Sequence, residues 1–170
     1  MLLSLFCIQS YANAANENIA KAGDITVALL PSIAYGATFY LDDSIGRTQF
    51  YKSFFSNLAL TEVLKQSVKR KRPNQHDNKS FPSGHTSVSF QSATFIYQRY
   101  GWKPAIPAYL AASFVGYSRI KSDWHYGSDV FAGAIIGVAS SYYFTDKFHG
   151  FQVTPTAKSG MYGISINKKW

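Results

Sequence analysis

Cysteine is almost missing from this chain: Cys7 is the only one in 170 residues, and it lies within the first 14. Beyond that segment, disulfides, thiol catalysis and a thiolate zinc site are all excluded. Charge is scarce as well, with Asp, Glu, Lys and Arg making up 15% of residues, and acidic charge is scarcest, at 9 Asp and Glu against 17 Lys and Arg. The resulting +8 suits nucleic acid, an anionic membrane surface or a phosphorylated molecule, and composition alone does not choose among them. Long apolar runs are lacking too. Past the N-terminus, the uncharged stretches 25–41, 104–118 and 130–145 are 15–17 residues long and contain Pro, Gly, Ser or Tyr. A bilayer span needs roughly 20 apolar residues, so these read as buried helices of a bundle, in keeping with a mean hydropathy of −0.10. Repeats and low-complexity runs are also absent. What is plentiful is apolar and aromatic: 46% hydrophobic residues, with 13 Phe, 12 Tyr and 3 Trp. Such a chain folds rather than staying disordered, and its length fits one domain.

Residues 1–14 carry no charge, include Leu2, Leu3, Leu5, Phe6 and Ile8, and end in Ala12, Asn13 and Ala14. A small-x-small ending is what export peptidases cut after. The segment therefore reads as a signal peptide, although it lacks the Lys or Arg that usually opens one; the other reading is a helix start kept in the domain. Export predicts a periplasmic protein, soluble or peripheral on a membrane, with a small integral form as the variant. Residues 15–150 read as one helical domain and 151–170 as a tail.

Within the domain, Asp24 is placed to cap a first helix over 25–41. Phe50, Phe54, Leu58, Leu60, Val63 and Leu64 recur at three- and four-residue spacing, which predicts a second helix over 48–71. Pro73 must end it. A polar loop follows over 74–81. A third helix starts at Ser83, a favoured N-cap, and runs to Tyr100 before Gly101. A fourth spans 103–118, and a fifth runs from Trp124 or Gly127 to Phe148. Residues 151–153 and 162–166 alternate, predicting a hairpin or extended tail. The fold class is all-α: one bundle of about five to six helices.

Chemistry concentrates in three places. Lys65, Lys69 and Arg72, at i, i+4 and i+7, would share one helical face as an anion clamp. Lys69, Arg70 and Lys71 by themselves equally describe a solvated or nucleic-acid-binding face. Pro82, Ser83, Gly84 and His85 open a helix. A helix N-terminus offers unpaired N–H groups and partial positive charge to a phosphate, and Gly84 allows close approach. Here too a plain N-cap and a first-turn histidine would account for the residues. His125 and Asp129 are four apart, so on a helix the carboxylate would bond one ring nitrogen and leave the other as a nucleophile. A structural pair or half of a metal site are the alternatives. The metal reading is poor, because His76, His85 and His149 bring no carboxylate pattern with them. Arg119 adds a planar fork of donors suited to phosphate.

Taken together, the pattern is Lys65, six residues, then Arg72 and Pro73; Pro82, Ser83, Gly84, His85; and Ser118, Arg119, five residues, His125, three residues, Asp129. It resembles the three-part signature of the type 2 phosphatidic-acid phosphatase superfamily, whose members include bacterial acid phosphatases, lipid phosphate phosphatases and vanadium haloperoxidases. The resemblance implies a helical bundle and a phosphatase without metal or cofactor. His125 would form a phosphohistidine, oriented by Asp129. His85 would protonate the leaving oxygen and then activate water, while Lys65, Arg72, Ser83, Gly84 and Arg119 would hold the phosphoryl oxygens. A phosphorylated lipid is the expected substrate: phosphatidate, isoprenyl pyrophosphate or a lipid A type molecule. An anionic membrane surface is the expected neighbour, with Tyr97, Tyr100 and Trp102 at the interface. Soluble phosphomonoesters, vanadate-dependent oxidation and a binding module without turnover are the rivals. Nucleic acid is not expected as a partner.

Overall fold

The computed structural model describes the backbone of residues 2–148, 151–158 and 161–168 and the side chains of residues 16–148. Five helices follow in order: α1 (Leu2–Tyr40), α2 (Ser44–Val68), α3 (Gly84–Tyr100), α4 (Trp102–Lys121) and α5 (Gly127–Phe144). Two strands, β1 (Phe151–Lys158) and β2 (Met161–Lys168), then form an antiparallel hairpin in which Phe151 pairs with Lys168 and Lys158 with Met161. The all-α bundle with a hairpin tail is as expected.

The first helix is much longer than its predicted 25–41, so Asp24 lies inside α1 and caps nothing. Alanine is a strong helix former and is frequent ahead of Asp24, and Glu17 pairs with Lys21 one turn on, at 2.7 Å. The second helix is shifted toward the N-terminus. Asp43 caps it by accepting from the Gly46 amide at 2.9 Å, and it stops at Val68, with Lys69 left-handed at φ 46°. Lys69 and Arg72 therefore leave the helical face that they were expected to share with Lys65. Backbone groups freed by that early stop are satisfied in the loop, where the Arg72 N–H donates to the Asp77 carbonyl and the Arg70 carbonyl accepts from the Ser80 N–H. The third helix matches prediction, with Gly101 at φ 91° after its last turn. The fourth runs three residues further than predicted, to Lys121. The fifth ends four residues early, at Phe144, because Arg99 draws the next segment aside. Its Nη1 donates to the carbonyls of Asp146 and Lys147, and the Phe148 N–H returns to the Arg99 carbonyl.

Burial runs against the usual pattern. The central helix, packed on all four others, is α3, which is rich in Ser and Thr. Around it Ser53, Asn57, Thr61, Ser87, Gln91 and Ser92 are buried, linked by bonds such as Gln91 Nε2 to Ser53 Oγ at 2.8 Å and Thr61 Oγ1 to Ser87 Oγ at 3.1 Å. An apolar cluster including Leu30, Phe50, Phe95 and Ile96 fills the other part of the interior. The three uncharged stretches expected to be buried are instead partly outside: Ile25 is 62% exposed, Leu110 68% and Phe131 69%. Small residues let the helices close on one another. A Cβ on Gly133 would lie 2.4 Å from the Ser83 carbonyl oxygen, and one on Gly137 2.2 Å from that of Ser87. At the end of the bundle holding the α1–α2 turn, buried Arg99 grips Asp43 through two bonds of 2.5 and 2.6 Å. Tyr100, expected at an interface, is half-buried against that same carboxylate, at 3.1 Å, and Tyr97 is half-buried too. Trp102 alone of the three expected aromatics is exposed.

Candidate active site

Successive helices run in opposite directions, so the ends of α2 and α4 and the starts of α3 and α5 meet at one end of the bundle, where α1 passes beside them. They enclose a cavity of 520 Å³ lined by Lys65, Arg72, Gly84, His85, Arg119 and His125, with Asp24 and Trp124. Six of the eight residues predicted for the site thus line one space. Ser83 and Asp129 do not. Ser83 is fully buried beneath the loop, its hydroxyl bonded to Thr86 Oγ1 at 2.9 Å. It still occupies the N-cap position, but its side chain makes no cap bond.

The last full turn of α2 carries Lys65, whose Nζ donates to the carbonyls of Pro82 and Lys79, at 2.5 and 3.0 Å. Burial and the neighbouring Arg72 charge lower its pKa to about 8. Arg72 reaches in from the loop. Its Nε donates to Asp77 at 2.6 Å, its Nη1 lies 3.3 Å from His125 Nε2, and its guanidinium covers the Trp124 ring at 4.9 Å. Arg119 is almost wholly buried, held by the Ala20 carbonyl at 2.6 Å, Asp24 Oδ1 at 2.8 Å and Ser118 Oγ at 3.0 Å. Gly84 opens α3, where the first N–H groups lack helical partners. A Cβ there would find nothing nearer than Lys65 Cε at 3.7 Å, so the space in front of this turn is open.

His125 sits two residues before α5 rather than on it, and this changes its partner. Its Nδ1 lies 2.6 Å from the Ser80 carbonyl and 3.9 Å from Asp129 Oδ2. The direct bond expected between the two side chains is therefore replaced by a bond to backbone. Since a carbonyl only accepts, Nδ1 carries the proton and the lone pair of the neutral ring lies on Nε2, facing the cavity beside Arg72. Burial, then Lys65 and Arg72, pull the His125 pKa down to about 3. Asp129 is buried behind it. It accepts from Ser80 Oγ at 2.5 Å, from Arg70 Nη1 at 2.7 Å and from the Tyr126 amide at 2.9 Å. It thereby fixes the strand of loop whose carbonyl holds His125.

Residues 48–151 match the model of the PAP2 superfamily. The chain belongs to that superfamily. Among curated PAP2-related proteins, it is 32% identical to the lipid A 4'-phosphatase of Helicobacter pylori over 107 residues, covering 59% of this chain and 54% of that protein. It is 40% identical to the lipid A 1-phosphatase of Porphyromonas gingivalis over 77 residues, which are 44% of this chain and 17% of that one. Lipid phosphate phosphatase 1 of Arabidopsis thaliana is 43% identical over 76 residues, 35% of this chain and 23% of that protein. The chain thus spans about half the length, or less, of these relatives. The crystal structure of Aquifex aeolicus LpxE shares the fold, with a TM-score of 0.62 at 23% identity over 77% of this chain and 83% of that one.

Four residues that line the cavity or hold its lining were missed by sequence reasoning: Asp24, Arg70, Ser80 and Trp124. Asp24 stands 41 positions before Lys65, with no spacing to tie it to the motifs. Ser80 contributes mainly a carbonyl, which no side-chain pattern displays. Arg70, read as part of a solvated run, instead bonds Ser128 Oγ and Asp129 and covers the Tyr126 ring at 4.1 Å.

Proposed function

We propose that this protein is a metal-independent phosphatase that removes a terminal phosphate from a phosphorylated lipid through a phosphohistidine on His125. The observation that carries the reading is the convergence of Lys65, Arg72, Arg119, His85 and a neutral His125 on one cavity. In the first step the Nε2 lone pair attacks phosphorus in line. The bond from phosphorus to the leaving oxygen breaks, and that oxygen takes a proton from His85. In the second step His85 accepts a proton from water as the water oxygen attacks phosphorus, and the N–P bond breaks to return the histidine and release phosphate. A phosphoryl transition state spreads negative charge over its equatorial oxygens. Lys65, Arg72, Arg119 and the amides at Gly84 are positioned to meet that charge, the load a metal carries elsewhere. Asp129 supports the cationic phosphohistidine from behind, and Ser83 braces the start of α3, its N–H donating to the Asp129 carbonyl at 2.9 Å.

Two observations favour a lipid over a soluble phosphomonoester. Much of the interior around α3 is polar, while large apolar side chains such as Ile25, Leu29, Ile33, Phe55, Leu110 and Phe131 face outward on several helices, and exposed apolar surface of this kind suits contact with lipid. The relatives' names specify lipid A and lipid phosphates. No described helix is long and apolar enough to cross a membrane, and the reading is a protein seated on a membrane with its apolar faces against lipid. Export to the periplasm rests on the apolar, uncharged residues 1–14, with 15–150 as the catalytic unit.

The test is a panel of phosphatidate, an isoprenyl pyrophosphate, lipid A and 4-nitrophenyl phosphate, followed by phosphate release with the wild type and His125→Ala. Turnover of the lipids above the chromogenic ester, abolished in the variant, is expected. Full activity of His125→Ala would end the phosphohistidine reading, and preference for the soluble ester would replace the lipid with a general acid phosphatase.

A further inference from the structure

The matched family region begins at residue 48, yet one wall of the cavity comes from α1, before it. That wall is a built seat. Asp24 Oδ1 lies 2.8 Å from Arg119 Nη1 and 3.1 Å from His85 Nε2, and the Ala20 carbonyl takes a second bond from Arg119. Next to Asp24, a Cβ on Gly23 would lie 2.1 Å from Ser118 Oγ and 2.6 Å from Arg119 Nη2. The glycine lets α1 approach α4 closely enough for the carboxylate to reach both Arg119 and His85, where a larger residue would press on the Ser118 and Arg119 side chains.

We propose that Asp24 is a positioning residue for His85, which orients the imidazole through its Nε2–H and keeps it protonated amid the cations of the site. The proposal rests on the phosphatase reading, in which His85 must hold a proton to give to the leaving oxygen. The charged groups facing His85 are Lys65 from α2, Arg119 from α4, and Arg72 and His125 from the two loops; Asp24 is the single carboxylate among the residues lining this cavity. Burial and Arg119 already press the His85 pKa below the ordinary 6.5, and Asp24 is the nearest opposing influence. With the carboxylate gone, the imidazolium would face cations alone and give up its proton at still lower pH. Asp24 also fixes the Arg119 fork, so one side chain couples the leaving-group acid to the clamp on the phosphoryl oxygens.

The experiment measures kcat/KM from pH 4 to 9 for full-length wild type, Asp24→Asn and Asp24→Glu, on a lipid phosphate and on 4-nitrophenyl phosphate. The latter has a good leaving group and needs little acid assistance. Asp24→Asn should move the alkaline limb to lower pH by about one unit, a loss of about tenfold at neutral pH on the lipid. The loss on the nitrophenyl ester should be several-fold smaller, and Asp24→Glu should regain part of the activity. An NMR titration of His85 should show the same downward shift without reference to turnover. An unchanged alkaline limb with equal losses on both substrates, or an unshifted His85 titration, overturns the proposal. A wild type that releases phosphate from nothing removes the phosphatase reading instead, and the His85 titration then decides the role of Asp24 by itself.

Discussion

Replacing Asp129 by Asn removes one negative charge from a wholly buried position 3.9 Å from His125 Nδ1, with little change of shape. Unit charges about 4 Å apart interact by about 4 kcal/mol at an effective dielectric of 20. Part of that charge is already committed to Arg70 at 2.7 Å, so the support available to a cationic phosphohistidine is about 2–4 kcal/mol. Asp129→Asn should therefore lower kcat by about 30- to 1,000-fold. KM should stay close to wild type, since Asp129 does not line the cavity. Stability should fall by about 1–3 kcal/mol, because the Arg70 and Ser80 bonds weaken. The assay is steady-state phosphate release together with thermal melting. Ser80→Ala is the companion variant. It keeps the carbonyl that holds His125 but loses the 2.5 Å bond to Asp129, and a loss of about 2- to 10-fold is expected from one buried hydrogen bond. A folded Asp129→Asn enzyme with kcat within threefold of wild type would refute the reasoning. A large Asp129→Asn effect beside an unchanged Ser80→Ala would show that the carboxylate acts by charge alone and not through the loop.

Three further outcomes follow from the geometry. The proposed mechanism requires neutral His125, whose pKa is about 3, and protonated His85, whose pKa lies below 6.5. The kcat/KM profile should thus plateau on the acid side and fall as pH rises toward neutrality. A second fall past about 8 should follow as Lys65 loses its charge, and Lys65→Arg should abolish that second step. Gly133→Ala puts a methyl group 2.4 Å from the Ser83 carbonyl oxygen, so melting should report a loss of about 1–3 kcal/mol from overpacking; an unchanged Tm would mean that α5 does not press on α3 as described. Arg99→Ala strands Asp43 in the interior and should cost about 3–5 kcal/mol by denaturant unfolding, while kcat of the folded fraction stays the same because Arg99 does not line the cavity.

The candidate site was legible in the sequence because its motifs are particular side chains at fixed spacings, and side chains are what a sequence displays. Lys65, Arg72, His85, Arg119 and His125 could be named from type and spacing, and so could the α3 start next to Ser83, although the Ser83 side chain makes no cap bond. Partners supplied by backbone or by distant segments could not. His125 and Asp129 are four apart, yet the ring ends before α5 begins and bonds the carbonyl of Ser80, 45 positions away. Asp24 looked like a helix cap because Asp is a favoured N-cap next to an uncharged stretch, and the alanines and the Glu17–Lys21 pair that carry α1 through it were overlooked. The inside-out distribution of polarity was hidden for a related reason. An uncharged stretch reads the same whether it faces inward or outward, and only the packing of the Ser- and Thr-rich α3 at the centre showed that much of it faces outward.

By itself, then, the sequence determined the family, the all-α class and the cations and histidines of the pocket, because these depend on residue identity and short-range spacing. The tertiary structure decided which ring nitrogen of His125 is free, how Asp129 reaches it, and that α1 delivers a carboxylate to His85 and Arg119. Each of those depends on distances of a few ångströms between segments far apart in the chain, which only the close approach of helices at Gly23, Gly133 and Gly137 brings together.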